Sequence, residues 1–160
     1  MKLYIPGLVL GFAILFFPSQ AQACSCAAQL PFLQTAKYSD LVVRGKIIDY
    51  VRAGKPENLY PIAIVVDIQE RYKGTPKSKR VTIQGNTGIE CHPYASEFPI
   101  GTEWVVGAYK APDKKGGWMI GTCGEYRLQV EGETVTGQIR DRNSQSMRLS
   151  EFRKLLKNSR

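Results

Sequence analysis

Pro61-Ile62-Ala63-Ile64-Val65-Val66-Asp67-Ile68-Gln69-Glu70-Arg71 is the most strand-like stretch of this 160-residue chain. Ile62, Ile64, Val66 and Ile68 recur at every second position and so share one face of an extended strand. Before it, Leu41 to Val51 is rich in β-branched residues and reads as a second strand, with Gly45 marking a bulge or sharp bend. Arg52 to Asn58, carrying Gly54 and Pro56, is the polar loop between the two. After it come a basic turn over Gly74 to Lys79 and a short strand over Arg80 to Gln84.

Further out, Gly85 to Gly101 is an irregular loop that carries Cys91, and Trp104 to Ala108 is another strand. Pro112 to Gly117 is a hairpin turn rich in Lys and Gly, with Gly117 to Thr122 as the return strand. Tyr126 to Val130 and Thr134 to Ile139 form a last hairpin about Glu131-Gly132-Glu133. A short helix interrupted by Pro31 lies within Ala27 to Ala36, and Ser39-Asp40 is a turn. Ser150 is placed to cap a terminal amphipathic helix with Phe152, Leu155 and Leu156 on its apolar side. Many short strands with turn signals between them, and a helix near each end, predict a mainly β fold closed into a small barrel.

The N-terminus sets the compartment. Lys2, an apolar run from Leu8 to Phe17, Pro18-Ser19 and then Ala21-Gln22-Ala23 have the order of a secretory signal peptide over residues 1–23. The apolar run is shorter than the roughly 20 residues a bilayer requires, so no transmembrane segment is expected. The mature chain, residues 24–160, then begins at Cys24 and reads as a single domain in the extracellular space or a bacterial periplasm. A Cys after the cleavage site also occurs in lipoproteins, but those favour a larger aliphatic residue than Ala21 at −3, and lipidation would leave an odd thiol.

Hydrophobic content of 43 % and charged content of 22 % are those of an ordinary globular domain. The formal charge of +8 falls by one with Lys2 and still points to acidic partners. For an exported chain these are an acidic glycan, an anionic surface or an acidic protein, and nucleic acid is not expected. The basic groups fall at turns: Lys73, Lys77, Lys79 and Arg80, then Lys110, Lys114 and Lys115.

All four cysteines, Cys24, Cys26, Cys91 and Cys123, lie in the mature part, as an exported disulfide framework requires. A Cys24–Cys26 bridge would close a very tight ring, so both N-terminal cysteines are expected to reach the two distant ones, in either of two arrangements. His92 is the only histidine, which removes histidine-based triads and multi-histidine metal sites, and beside Cys91 it reads as an exposed loop residue. The cysteines lack the paired C-x2-C spacing of a zinc site. Cys24-x-Cys26 is not the C-x-x-C of a thioredoxin-like redox motif, and Glu131 and Glu133 flank a tight turn. No enzyme active site, cofactor or resident metal is expected.

Cys24-Ser25-Cys26, followed by Tyr38-Ser39-Asp40-Leu41-Val42-Val43-Arg44-Gly45-Lys46, resembles the start of the tissue inhibitors of metalloproteinases and related netrin-like modules. Arg71-Tyr72-Lys73-Gly74, Cys91, and Phe98-Pro99-Ile100-Gly101 leading to Gly121-Thr122-Cys123 extend the resemblance over nearly the whole mature chain. It implies an OB-like Greek-key barrel of five to six strands with short flanking helices, including a C-terminal one. It also implies bridges Cys24–Cys91 and Cys26–Cys123, and inhibition of a zinc metalloprotease in trans. The free amino nitrogen and carbonyl oxygen of Cys24 would chelate the protease's zinc, Ser25 would enter its main specificity pocket, and Gly88-Ile89-Glu90 would form a second contact ridge. The chain departs from the inhibitors at Ala28, where they carry Pro, in lacking a further Cys near Lys37 and its partner, and in having no Cys-rich second domain. The alternative on the same fold is a non-inhibitory binding module that uses its basic loops on a glycan, anionic surface or protein partner.

Overall fold

A computed structural model describes residue 26 and residues 28–88, 91–112 and 117–159. Its first element is a short helix α1 (Phe32–Tyr38). Strands β1 (Leu41–Ala53), β2 (Tyr60–Lys73), β3 (Arg80–Gln84), β4 (Glu103–Lys110) and β5 (Trp118–Met119) follow. After them come β6 (Arg127–Glu131), β7 (Thr134–Gly137), β8 (Gln145–Arg148) and a C-terminal helix α2 (Leu149–Asn158). No helix among the described residues is long and apolar enough to cross a membrane.

The strand order β1-β2-β3-β5-β4 closes on itself because β1 also pairs with β4, from Leu41 opposite Ala108 to Lys46 opposite Glu103. All pairs in this ring are antiparallel except β3 with β5. The result is the five-stranded Greek-key barrel of the OB type. β6, β7 and β8 extend the sheet from β4 as an antiparallel meander.

Closing a barrel requires its strands to bend. β1 bends at a register shift between Arg44 and Gly45. A side chain at Gly45 would run into the Asp67 carbonyl and the Val66 side chain of β2, so this residue lets the two backbones touch.

Two apolar layers share the sheet. Ile64, Val66 and Ile68 of β2, the first face read from the sequence, fill the barrel interior with Leu41, Val43, Val106 and Leu-sized Ile120. Val42, Val105, Leu128 and Val135 point the other way and are covered by Phe32 of α1 and by Leu149, Phe152 and Leu156 of α2. β1 is therefore buried on both faces at Leu41-Val42-Val43, which is why it reads as an unbroken apolar run.

The helices differ from the sequence expectation in their limits. Pro31 does not interrupt α1 but precedes it as the N-cap, where its fixed φ and missing N–H cost nothing. α2 starts at Leu149 with Arg148 as N-cap, so Ser150 is not the cap. The Leu149 N–H is instead taken by the Glu133 carbonyl at 2.7 Å, which ties the helix start to the β6–β7 turn. The return strand expected over Gly117 to Thr122 is laddered only at Trp118–Met119, and its last bond to β3 runs from the Ile120 N–H to the Gln84 carbonyl at 3.0 Å.

Candidate functional site

One end of the barrel gathers the N-terminal segment, the loop after β3 and the segment after β5. Cys26 is bonded to Cys123 with their Cα atoms 5.4 Å apart, closing a span of 97 residues. Cys91 is also disulfide-bonded. Its expected partner Cys24 lies outside the described residues, as do Ser25, Ile89 and Glu90 of the expected contact surface.

Beyond the disulfide, the segment after Cys26 is clamped by backbone. The Glu125 N–H donates to the Leu30 carbonyl at 2.7 Å, and Arg142 Nε donates to the Gln29 carbonyl at 3.3 Å. Phe32 and Leu33 then donate to the Gln138 and Ile139 carbonyls. Thr35 Oγ1 donates to the Glu125 carbonyl, so both polar groups of the Glu125 peptide frame are engaged. Gly124 sits at φ +131, and a side chain there would strike Thr35 and the Leu30 carbonyl. Only glycine admits this close crossing.

The loop after β3 is equally tied. Gly85 donates to Ile62 and Asn86 to the Pro93 carbonyl, each at 2.9 Å. Asn86 is 7 % exposed, and its Oδ1 accepts the Gly88 N–H at 2.7 Å. This Asx turn lifts Gly88 to the surface at φ +107, with open space where a side chain would be. Gly88 is the one described member of the expected ridge.

Arg127 of β6 locks this loop to the sheet. Its NH2 donates to Glu97 Oε2 at 2.6 Å, its guanidinium lies 5.2 Å from the Phe98 ring centre, and its N–H donates to Glu125 Oε1 at 3.1 Å. Burial raises the Glu97 carboxyl, but the bonds from Arg127 and from the Tyr94 N–H outweigh it and leave it below the usual carboxylate range. For Glu125 burial wins, and its carboxyl is held above that range. Arg127 NH1 and His92 Nδ1 are buried with no hydrogen-bond partner among the described residues. The reading of His92 as an exposed residue is therefore corrected: the ring is half-buried and its Nδ1 is sealed from solvent.

Sequence patterning pointed to the cysteines of this end but not to Asn86, Glu97, Glu125 or Arg127. Arg127 alternates with Leu128 and Val130 as any outward residue of a strand does, and nothing local indicates that it reaches Glu97 thirty positions earlier. Among the described residues no group of three His, Cys, Asp or Glu could hold a metal.

The basic groups separate. Lys73 Nζ donates to the Ala36 and Lys37 carbonyls at 3.2 and 2.7 Å, closing the C-terminal end of α1. Lys79 is exposed beside the ladder, its carbonyl accepting the Ile68 N–H. Lys77, Arg80 and Lys110 line one pocket, while Lys114 and Lys115 lie outside the described residues. No protein-family model matches this chain, and no curated protein matches it either.

Proposed function

We propose that this protein is a secreted inhibitor of zinc metalloproteases, acting through the amino nitrogen and carbonyl oxygen of Cys24 at a mature N-terminus. The observation that carries the reading is the Cys26–Cys123 bridge together with the clamp on residues 29–33, which anchors the chain two residues after the chelating one. The first residues of a chain are ordinarily its most mobile. Ordering a ligand before it binds removes much of the entropic cost of capture.

A catalytic zinc keeps one coordination position open for water. The Cys24 amine and carbonyl would chelate the zinc as a pair and displace the water. An unperturbed α-amino group has a pKa of about 7.7–8.0, so binding near neutrality releases a proton and tightens as pH rises. Ser25 would occupy the specificity pocket next to the zinc. The ridge of Gly88, Ile89 and Glu90 would rest on the protease surface beside it, its start set by the Asx turn of Asn86.

The test is one residue placed before Cys24 in the mature protein. The extension blocks the chelating amine without touching the barrel. Inhibition of a panel of zinc metalloproteases is expected to be lost while the melting temperature is unchanged. Equal inhibition by the extended protein overturns the reading.

A further inference from the structure

The apolar layer between the two helices is not filled along its whole length. Phe32 of α1 and Phe152 of α2 meet ring to ring and occupy the space between their helices. One helical turn further on, the same faces present Ala36 and Leu156. Alanine is too small to reach across, and a pocket of about 410 Å³ opens there. That volume falls toward the lower end of the roughly 300–1,000 Å³ usual for small-ligand sites. Its floor is Val42 of β1, which stands opposite Lys73 at the end of β2. The pocket takes in none of the residues assigned to the zinc-chelating surface.

The walls are aliphatic. Ala36, Val42 and Leu156 are buried, and no aromatic ring or carboxylate among the described residues lines the pocket. Ser159 also lines it, but its hydroxyl hydrogen is already given to the Leu156 carbonyl at 2.9 Å. The two remaining lining residues are both cations, Lys37 and Lys73. Lys73 is held in place by its bonds to the Ala36 and Lys37 carbonyls, which leaves one of the three ammonium N–H groups unused. Lys37 is exposed, and neither lysine forms an ion pair among the described residues.

A bare anion would use the two ammonium groups and leave the aliphatic walls empty. A neutral hydrocarbon would fill the walls and leave the cations unanswered. A slender alkyl chain that ends in one carboxylate satisfies both. We infer that this pocket binds a free fatty acid of medium chain length. Its chain lies between Ala36, Val42 and Leu156, and its carboxylate meets Lys37 and the unused N–H of Lys73.

The experiment titrates decanoate, below its micellar concentration, into the full mature protein. Calorimetry reads the affinity, and NMR of the Val42 and Leu156 methyl groups reads the place. Saturable binding to one site is expected, with the largest shifts at those methyls. From hexanoate through octanoate to decanoate, affinity should rise by up to about fourfold for each methylene buried. Decanol and decyltrimethylammonium, which keep the chain but lose or reverse the charge, are expected to bind about fivefold or more weakly. Lys37→Glu leaves the walls untouched and is expected to weaken decanoate by about threefold or more at an unchanged melting temperature, while Lys37→Arg retains it. Ala36→Leu fills the gap and is expected to abolish binding; if that variant fails to fold, the Lys37 pair decides. Affinity that ignores chain length overturns the proposal, as does decanol binding as tightly as decanoate or an unchanged affinity in Lys37→Glu. Phosphatidylglycerol vesicles that bind the protein while decanoate does not would assign the cations to a membrane surface and overturn it too. Protease inhibition is expected to survive every variant, so failure here leaves the zinc-chelating reading standing.

Discussion

Arg153 of the C-terminal helix grips Glu70 of β2 through two parallel bonds, Nε to Oε1 and NH2 to Oε2, each 2.8 Å. Tyr72 donates its hydroxyl to the same carboxylate at 3.0 Å. The Arg153 bond in particular holds the Glu70 carboxyl below the usual range. A carboxyl depressed on folding stabilises the fold above its unfolded pKa of about 4.3, and that contribution disappears as pH falls through the folded value. Glu70→Gln is expected to cost about 1 kcal/mol at pH 7, since the pair is partly exposed. Urea unfolding of wild type and variant should converge in acid below the glutamate range, and a difference that persists there contradicts the assignment.

Phe152 joins three elements: its ring centre lies 5.8 Å from that of Phe32 in α1 and 5.9 Å from that of Tyr72 in β2. It is fully buried. Phe152→Ala is expected to destabilise by about 3–5 kcal/mol through the lost burial and the cavity left behind. Hydrogen exchange should accelerate first in both helices, while the barrel interior keeps its protection.

Tyr109 and Tyr126 meet hydroxyl to hydroxyl at 2.7 Å, with Gly121 directly against both rings. Burial, and then the bond to Tyr109, push the Tyr126 phenol above its ordinary value. Burial and the Glu70 charge do the same to Tyr72. Phenols raised on folding stabilise below their unfolded pKa of about 10 and lose that contribution as pH climbs through the folded value. Spectrophotometric titration should show these two ionising only as the protein unfolds in alkali. Gly121→Ala, whose methyl would overlap both rings, is expected to cost about 1–3 kcal/mol and to lower the pH of that step.

Replacing Cys26 and Cys123 together by Ala opens a loop of 97 residues. The chain-entropy model gives a loss of about 3–5 kcal/mol for loops of this size. Chemical denaturation of the double variant measures it. The same variant is expected to inhibit a metalloprotease far more weakly than wild type under conditions where it remains folded.

β1 was legible from its run of β-branched residues, and β2 because one face of it is apolar at period two. Ile64, Val66 and Ile68 needed no more than that pattern to be assigned inward. β8 was not legible: Gln145-Ser146-Met147-Arg148 offers only Met147 to the core, and its pairing depends on β7 supplying a free edge. The start of α2 was misplaced for a related reason, since the group that terminates it is a carbonyl sixteen residues upstream. The division of the apolar residues into two layers also escapes any local pattern, because Val42 and Val43 are both buried and only the closed ring distinguishes their surroundings. At the disulfide end, cysteine spacing narrowed the pairing and a family resemblance chose it. The Arg127 and Asn86 contacts that brace this end are tertiary and leave no mark in sequence.

The Cys26–Cys123 bridge also imposes an order on assembly. A chain is synthesised from its N-terminus, so Cys26 is made first and then remains without its partner for 97 residues. By then all five strands of the ring, through Met119, have been synthesised. The bridge is therefore a latch whose second half is made only after every strand of the ring: a chain cut short before Cys123 carries the whole ring but cannot close the bridge at Cys26.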